Sequence, residues 1–258
     1  MAVLTRLGVP RLWHEDTDRF WPFLWRFVTP VVLWMAPSAA YGVERVPLEG
    51  GAVVAVNHFS GIDHPLIGSY SPRPVFFMAK EELLSMPLFG ELITWTGAFP
   101  VRRGAVDREA LRRSRELLRD GKLVGYHLEG TRQRFGHPGE IRAGGLMMAV
   151  QEGVPVVPCA VDTFRWSPWN RRQCAVVWGE PIAVDDLPRG RSGYDEAGER
   201  IWPEVIRLWR LAAEAVAAGL PEQLSDGTRR SGRIPVRGGP PPGLGSRDGS
   251  NRRARVSH

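Results

Sequence analysis

The stretch AVVAVNHFSGID, residues 52–63, places a short apolar run directly before a group of polar side chains. The run AVVAV is rich in valine and too short for a core helix, so it predicts a buried β-strand. The polar loop that follows contains His58 and Asp63. In α/β proteins, reactive groups lie in the loops that follow strand ends. The stretch therefore predicts an α/β domain with a candidate site at the end of this strand.

Similar patterns recur along the rest of the chain. Further strands are predicted at 74–80, 123–130, 154–161 and 174–179, and helices at 81–94, 107–122, 143–153 and 199–219. Strands that alternate with helices favour a mixed, largely parallel central sheet flanked by helices. The two prolines of VPVVPCAV, 154–161, predict a position near a sheet edge or a strand end. The stretch GAFPVRRG, 97–104, is interpreted as a loop.

Charge divides the chain into a neutral body and a basic tail. The chain has 258 residues, 43% of them hydrophobic, and a formal net charge of +6. Residues 226–258 contain eight arginines and two aspartates, which account for the whole excess. Gly, Pro, Ser and Arg dominate this tail and predict disorder. We therefore expect an α/β domain at 40–225, and no nucleic-acid partner, because residues 1–225 are neutral overall.

An apolar segment, FWPFLWRFVTPVVLWMAP at 20–37, precedes the α/β domain. A spanning helix needs about 20 continuous apolar residues, whereas two prolines and one arginine interrupt this segment. Its tryptophans, Trp21, Trp25 and Trp34, favour the level of the lipid headgroups. Residues 18–37 are therefore predicted to form a helix or helix pair lying in one leaflet, within an N-terminal membrane-binding region at 1–39. The alternative is a helix packed on the protein's own core.

The sequence does not indicate several common kinds of site. The only cysteines, Cys159 and Cys174, exclude a disulfide scaffold and a Cys-based zinc site. Neither a P-loop nor a G-x-G-x-x-G after a strand is present. His58, His64 and Asp63 could be drawn as a metal site, but the N-H-x-x-x-x-D context disfavours it. We therefore expect neither a metal nor a cofactor.

His58 and Asp63 have the chemistry of a base and its partner. An imidazole with a pKa of about 6.5 takes a proton near neutrality. A carboxylate can accept the other ring N–H, which sets the tautomer and stabilises the imidazolium. The alternative is a surface histidine with an unrelated helix-capping aspartate.

Two later loops contain further polar groups. GAFPVRRG carries Arg102 and Arg103 after apolar residues, and a guanidinium suits bidentate contacts to phosphate. LEGTR supplies a second group where a predicted strand runs into a turn: Glu129, Gly130, Thr131 and Arg132. The alternative for each loop alone is an ordinary turn with surface charges.

Taken in this order, the motifs resemble the glycerolipid acyltransferase superfamily, specifically the 1-acyl-sn-glycerol-3-phosphate acyltransferase (PlsC-type) family. That family shows NHxSxxD, a GxxFVxR-like loop, FPEGTRS and a VPVVPV-like strand. They stand here as NHFSGID (57–63), GAFPVRR (97–103), LEGTRQ (128–133) and VPVVPCAV (154–161). The third motif departs from the family, because His127–Leu128 replaces Phe-Pro and Gln133 replaces Ser. These changes alter the floor of the site.

The resemblance implies an acyltransferase of phosphatidic acid synthesis. His58 would deprotonate a lysophospholipid hydroxyl, which attacks the thioester of acyl-CoA or acyl-carrier protein without an acyl-enzyme. Arg103, with Arg102 and the Glu129–Arg132 loop, would hold the phosphate of the acceptor. The resemblance also implies that no metal is needed, and that the protein is peripheral or monotopic on the cytoplasmic face of the cell membrane.

Other functions remain open from the residues alone. The same chemistry could act on another lysolipid, a glycolipid, an amino-lipid or glycerol 3-phosphate. If water replaces the lipid hydroxyl, the protein is a thioesterase. An inactive membrane scaffold that binds lipid belongs to another class. The intact His58, Asp63, Glu129 and Arg132 disfavour a scaffold.

Overall fold

A computed structural model of the chain describes residues 14–87, 89–101 and 107–232. Its strands are β1 (Ser38–Tyr41), β2 (Ala52–Val56), β3 (Val75–Lys80), β4 (Phe99–Val101), β5 (Leu123–His127), β6 (Val156–Asp162) and β7 (Cys174–Trp178). Its helices are α1 (His14–Met35), α2 (Asp63–Tyr70), α3 (Glu81–Leu84), α4 (Phe89–Trp95), α5 (Arg108–Arg119), α6 (Met147–Glu152) and α7 (Arg191–Ala217). Short 3₁₀ turns occupy Val43–Arg45 and Ala143–Gly145.

The seven strands form a single sheet in the order β1-β7-β6-β2-β5-β3-β4. The pairs between β6, β2, β5, β3 and β4 are all parallel. Strand β7 pairs antiparallel with β6 and parallel with β1, so β1 and β7 run against the other five. The predicted fold class, a mixed and largely parallel sheet flanked by helices, is confirmed.

Strand β2 lies at the centre of the sheet, and all five of its residues are buried. Val54 and Val56 face the core beneath α1 and α2. Val53 and Ala55 face the opposite core, which α5, α6 and α7 cover. A strand that is buried on both faces has an uninterrupted apolar sequence, which is why AVVAV shows no alternation.

Of the two positions predicted for 154–161, the sheet edge is wrong, and the strand end holds for Pro155, which directly precedes β6. Strand β6 lies between β7 and β2, and all its residues are buried. The Pro158 carbonyl accepts the N–H of Gly179 at 2.8 Å, directly after β7 ends. Because the backbone N and O of a strand residue face the same neighbour, the absent N–H of Pro158 faces the point where β7 ends. An interior strand therefore tolerates this proline.

The two edge strands, β1 and β4, have no counterpart among the predicted elements. Strand β4 pairs with β3 over three residues and contains Pro100, within the segment interpreted as a loop. Strand β1 has the sequence SAAY, whose small side chains give no alternation. Such short strands form because a neighbour supplies the hydrogen bonds, and their own sequence does not indicate them.

Several helices differ in extent from the predictions. The helix expected at 81–94 is divided into α3 and α4 on either side of Pro87, as its predicted break requires. The helix expected at 143–153 begins as a 3₁₀ turn before α6. Helix α7 begins at Arg191, eight residues before the predicted start at 199, and contains Pro203.

Residues 226–232, which the sequence assigns to the disordered tail, are described by the structure and contact the α/β domain. Asp226 forms an ion pair with Arg207 of α7 at 3.0 Å. The N–H of Ser231 donates to Ala40 of β1 at 2.8 Å. The first residues of the expected tail therefore contact the edge of the sheet, and residues 233–258 lie outside the described part of the chain.

Helix α1 packs one face on the α/β domain. The Trp21 ring lies against Gly68 of α2, and Trp25 Nε1 donates to the Ser69 carbonyl at 3.1 Å. Of the tryptophans expected at the lipid headgroups, Trp21 is therefore buried, and the Trp25 indole N–H is bonded to the domain. Within the described residues, neither α1 nor any other helix is long and apolar enough to cross a membrane.

The other face of α1 exposes large apolar side chains. Phe23, Phe27, Val31 and Trp34 are 54%, 59%, 55% and 64% exposed. Spacings of three and four residues place them on one side of a helix. The alternative interpretation, a helix packed on the protein's own core, therefore fits the inner face of α1 and not its outer face.

Candidate active site

Three neighbouring strands, β6, β2 and β5, are parallel and end at the same edge of the sheet. The residues that follow these ends are Thr163 after β6, His58 after β2 and Glu129 after β5. Positions that lie 71 and 105 residues from His58 along the chain are thereby brought beside it. The carboxyl edge of a parallel sheet is where open α/β folds place their sites.

His58 and Asp63 form a buried hydrogen-bonded pair. His58 Nδ1 lies 2.7 Å from Asp63 Oδ2. Asp63 is fully buried at the start of α2, and His58 is 5% exposed. Because the carboxylate can only accept when it is ionised, Nδ1 carries the ring proton and Nε2 is left with its lone pair. The geometry is that of a base with an orienting carboxylate.

The carboxylate of Asp63 also organises the loop that carries the base. Its Oδ2 accepts the N–H groups of Phe59 at 2.8 Å and Ser60 at 3.0 Å. Its Oδ1 accepts the hydroxyls of Ser60 and Thr163. Burial by itself would raise the pKa of this carboxyl, but hydrogen bonds from His58, Thr163 and the Ser60 N–H hold it below its ordinary value. Asp63 therefore stays ionised beside the imidazole.

Asn57 attaches the start of this loop to the neighbouring strand. Its side-chain amide donates to the Val161 carbonyl and accepts the Val161 N–H, both at 2.9 Å. A side-chain amide here continues the pairing of β2 with β6 after the last strand residue of β2. His58 therefore directly follows a residue, Asn57, whose side chain is held by two hydrogen bonds.

Glu129 contacts the backbone of His58. Its Oε2 accepts the His58 N–H at 2.6 Å, and its Oε1 accepts the Gly139 N–H at 2.8 Å. Burial raises the pKa of the Glu129 carboxyl to about 7, against the two N–H donors that lower it. The charge of Asp63 adds to the rise. Glu129 thus joins the LEGTR loop to the loop of the base, and its part in phosphate binding stays a prediction.

The rest of the LEGTR turn lies at the surface next to the same loop. Gly130 has a φ of +71°, a left-handed conformation that glycine adopts without strain. Thr131 and Arg132 are exposed. A Cβ on Gly61 would lie 3.5 Å from Arg132 Nη2, so this guanidinium is beside the His58–Asp63 loop. Arg102 and Arg103, the other predicted phosphate ligands, lie outside the described residues.

Two further histidines, His127 and His64, pack near the His58 ring. The His127 ring stacks on the His58 ring, with centroids 3.8 Å apart and planes inclined by 18°. His64 Nε2 lies 2.6 Å from His127 Nε2. The sequence showed His127 only as a departure from FPEGTRS, and His64 only as part of a disfavoured metal set. Since residues two apart on a strand share a face, His127 lies on the same side of β5 as Leu123, which packs in the same core as Val56. This alternation is the signal that could have placed His127 on the His58 side.

A metal would compete with the existing pair at this site. Donor atoms of His58, Asp63 and His127 lie within 4.8 Å of one another. However, the Asp63 Oδ2 and His58 Nδ1 atoms already share a hydrogen bond of 2.7 Å. A cation held by Asp63 Oδ2 would have to displace that bond, and the expectation of a metal-free site stays a prediction.

The sequence of the chain is similar to that of a known class of enzyme. Residues 38–162 match the model of the Acyltransferase family. The chain is 30% identical over 150 residues to the 1-acyl-sn-glycerol-3-phosphate acyltransferase of Bacillus subtilis (strain 168), covering 57% of this chain and 74% of that protein. The chain therefore belongs to the acyltransferase family and is an O-acyltransferase by class.

Two more similarities agree with this assignment. The 1-acyl-sn-glycerol-3-phosphate acyltransferase of Borreliella burgdorferi is 28% identical over 133 residues, which cover 50% of this chain and 53% of that protein. The crystal structure of the 1-acyl-sn-glycerophosphate (LPA) acyltransferase PlsC from Thermotoga maritima superposes with a TM-score of 0.60. At 24% identity, over 80% of this chain and 86% of that one, this match supports the fold.

Proposed function

We propose that the protein transfers a fatty acyl group from acyl-CoA or acyl-carrier protein to the free hydroxyl of 1-acyl-sn-glycerol 3-phosphate. The product is phosphatidic acid. The buried His58–Asp63 pair at the carboxyl edge of β2 carries the proposal, because it orients an imidazole with a free Nε2 lone pair. The names of the similar proteins, which are 1-acyl-sn-glycerol-3-phosphate acyltransferases, support the acceptor.

The proposed reaction is a direct displacement. His58 Nε2 takes the proton of the acceptor hydroxyl as the oxygen attacks the thioester carbonyl carbon. The C–S bond of the resulting tetrahedral intermediate breaks, and His58 returns the proton to the departing thiolate. Asp63 keeps the ring in the productive tautomer and stabilises the imidazolium that forms in between. The products are the ester and the free thiol.

The phosphate of the acceptor calls for cationic groups near the base. We propose Arg132 for this role, and the position of its guanidinium beside Gly61, in the loop of His58, supports the proposal. Its exposed side chain can reach a ligand without losing a buried partner. We propose Arg103 as the second phosphate ligand, with Arg102 and Thr131 beside it, on the strength of the motif alone.

We further propose that the protein lies on the cytoplasmic face of the cell membrane, held by α1. The exposed side chains of Phe23, Phe27, Val31 and Trp34 support this proposal, because an apolar stripe on one face of a helix suits an interfacial position. The acceptor is itself a lipid, so such a position brings the site to its substrate.

The test is an assay of purified protein with acyl-CoA or acyl-carrier protein as donor. The acceptors are lysophosphatidic acid, monoacylglycerol, glycerol 3-phosphate or none, and both thiol release and lipid product are measured. We expect thiol release to require lysophosphatidic acid. Equal release without any acceptor would instead support a thioesterase, and product from another acceptor would identify a different substrate.

The role of the base is tested in the same assay. His58→Ala should lower turnover by about 10²–10⁴-fold, the usual loss for a general base. His137→Ala is the matched control, since this histidine lies on the surface of the following loop. A folded His58→Ala protein within tenfold of the wild type would refute the mechanism.

Arg103 is tested through its selectivity between acceptors. A charge-assisted hydrogen bond is worth about 1.5–3 kcal/mol, so Arg103→Ala should raise the KM for lysophosphatidic acid by roughly 10–100-fold. The KM for the acyl donor should change little, and Arg103→Lys should recover part of the loss. An equal loss on monoacylglycerol would contradict the phosphate role.

A further inference from the structure

Three imidazoles are in contact at the carboxyl edge of β2 and β5. The ring centroid of His127 lies 3.8 Å from that of His58 and 4.6 Å from that of His64. Phe77 packs on His64 with a centroid separation of 4.4 Å. A Cβ on Gly125 would lie 2.1 Å from the Phe77 ring, so this glycine makes room for the phenyl group. Neighbouring side chains therefore hold the His127 ring in this arrangement.

The hydrogen bonds of His127 determine its protonation in the neutral state. Its Nδ1 lies 2.8 Å from the Asn57 carbonyl, and since a carbonyl only accepts, Nδ1 carries a proton. The neutral ring then has a lone pair on Nε2, which accepts from His64 Nε2 at 2.6 Å. The pair is consistent with two neutral rings that share one proton between their Nε2 atoms.

We propose that the His64–His127 pair is a positioning unit for His58, and that protonation of this pair switches the base off in acid. The proposal rests on the proposed acyl transfer by His58. A neutral aromatic face beneath His58 is compatible with the imidazolium that forms during transfer. A cationic pair at the same distance opposes that charge. His127 thus acts through His58 and does not touch the substrate.

Other charged groups surround the pair in the described part of the chain. Asp63 of α2 is bound to His58 at 2.7 Å. Glu129 follows His127 at the end of β5, and its carboxyl has a pKa raised to about 7 by burial. The Arg132 guanidinium lies beside Gly61. Strand β3 contributes the uncharged Phe77 to the packing around these rings.

Glu129 titrates in the same range, so a single pH profile does not isolate the pair. All variants compared below keep Asp63, Glu129 and Arg132. Differences between their profiles therefore report the histidines that have been changed. The variants are His127→Phe, which restores the aromatic residue of the related motif, and His64→Phe, with His137→Phe as the surface control.

The first measurement is the acid limb of kcat/KM against pH. Each additional inactivating proton adds about tenfold per pH unit at the foot of the limb. We expect the wild type and His137→Phe to fall by at least about a hundredfold per pH unit, and His127→Phe to fall by about tenfold less. His64→Phe keeps the ionisable His127 ring against His58, so it should keep the steeper slope. Only the slopes are compared, so any change in plateau activity does not affect the result. Equal slopes in all four proteins overturn the proposal.

The second measurement is independent of activity. Long-range ¹H–¹⁵N NMR on the detergent-bound protein reports the tautomer and titration of each histidine ring. In the wild type we expect His127 protonated on Nδ1 near neutral pH, and His58 to respond to the titration of the pair. His127→Phe should raise the pKa of His58, because a competing positive charge is removed. An unchanged His58 titration, or a neutral His127 that lacks the Nδ1 proton, refutes the pair.

The two measurements separate this proposal from the proposed function. If the wild type transfers no acyl group to any acceptor, the function fails, while the NMR titration still decides whether the pair is coupled to His58. If neither phenylalanine variant folds, the wild-type titration alone decides, because coupled rings titrate in two macroscopic steps. Three independent single-site titrations in the wild type overturn the proposal.

Discussion

The loop that carries His58 and the outer face of helix α1 use their side chains in opposite ways. Asp63 is fully buried, and its two oxygens accept hydrogen bonds from the imidazole, two hydroxyls and two backbone N–H groups. Phe27 and Trp34 of α1 are 59% and 64% exposed. One region buries polar atoms, and the other leaves apolar surface in contact with solvent.

This difference teaches that the two regions depend on different properties. A buried polar group needs its full set of partners, because an unsatisfied one costs about 1–3 kcal/mol. The loop therefore depends on the identity of single atoms. An apolar face that meets a lipid surface depends on the total area buried, at roughly 25 cal/mol per Å². Single changes should thus be severe in the loop and gradual on α1.

Asp63→Asn is expected to have the largest effect among the changes compared between these two regions. The amide NH₂ cannot accept a hydrogen bond, so the imidazole tautomer or the loop N–H groups lose their acceptor. Turnover should fall by about 10²–10³-fold in a steady-state assay, which is a heavy loss but a smaller one than for His58→Ala, because the imidazole itself remains. Asp162→Asn is the matched control, since Asp162 is also buried at this sheet edge but pairs with Arg172. Similar losses in both variants would show a general effect of burial.

The two faces of α1 are compared with two tryptophans. Trp21 is 6% exposed and Trp34 is 64% exposed. Trp21→Ala should lower the free energy of unfolding by about 3–5 kcal/mol, the usual cost of removing a large buried side chain. Trp34→Ala should change it by less than about 1 kcal/mol and should weaken binding in a vesicle flotation assay. A stable Trp21→Ala protein that no longer binds vesicles would reverse the assignment of the faces.

Glu129 is predicted to make stability depend on pH. Its folded pKa, about 7, is raised above the ordinary carboxyl value by burial. Between that ordinary value and about 7 the folded state binds the extra proton, so stability falls as the pH rises through this window. The free energy of unfolding of Glu129→Gln, relative to that of the wild type, should therefore increase by about 1–3 kcal/mol between pH 5 and pH 8. Urea unfolding at both values checks this, and a relative loss would contradict it.

Truncation at the C-terminus is expected to have the smallest effect. Ending the chain after Gly232 keeps the bonds of Asp226 to Arg207 and of Ser231 to Ala40. Ending it after Leu224 removes them, and we expect a loss of about 1–2 kcal/mol, since each hydrogen bond contributes about 0.5–1.5 kcal/mol. Thermal melts of the two truncated proteins measure the difference. Equal melting temperatures would place the end of the folded body at 225.

The sequence by itself determined the elements whose causes are local. Strand β2 follows from its valine-rich run. Helix α5 follows from Asp107, whose Oδ1 accepts the N–H groups of Glu109 and Ala110 at 3.1 Å, as an N-cap should. The positions of His58 and Asp63 are also local, because only four residues separate them in the sequence.

Only the tertiary structure decided the contacts between distant segments. Strand β6 is interior because β7 pairs with it in the antiparallel direction. The prolines in this part of the sequence had instead favoured an edge or a strand end. The Glu129 carboxylate accepts the His58 N–H, and His127 stacks on the His58 ring, because β5 lies next to β2 in the sheet. The order of strands depends on which apolar faces pack best over the whole domain. The sequence pattern of one segment does not depend on that packing. It therefore predicts which residues are candidates for the chemistry, and only the tertiary structure shows which residues lie next to them.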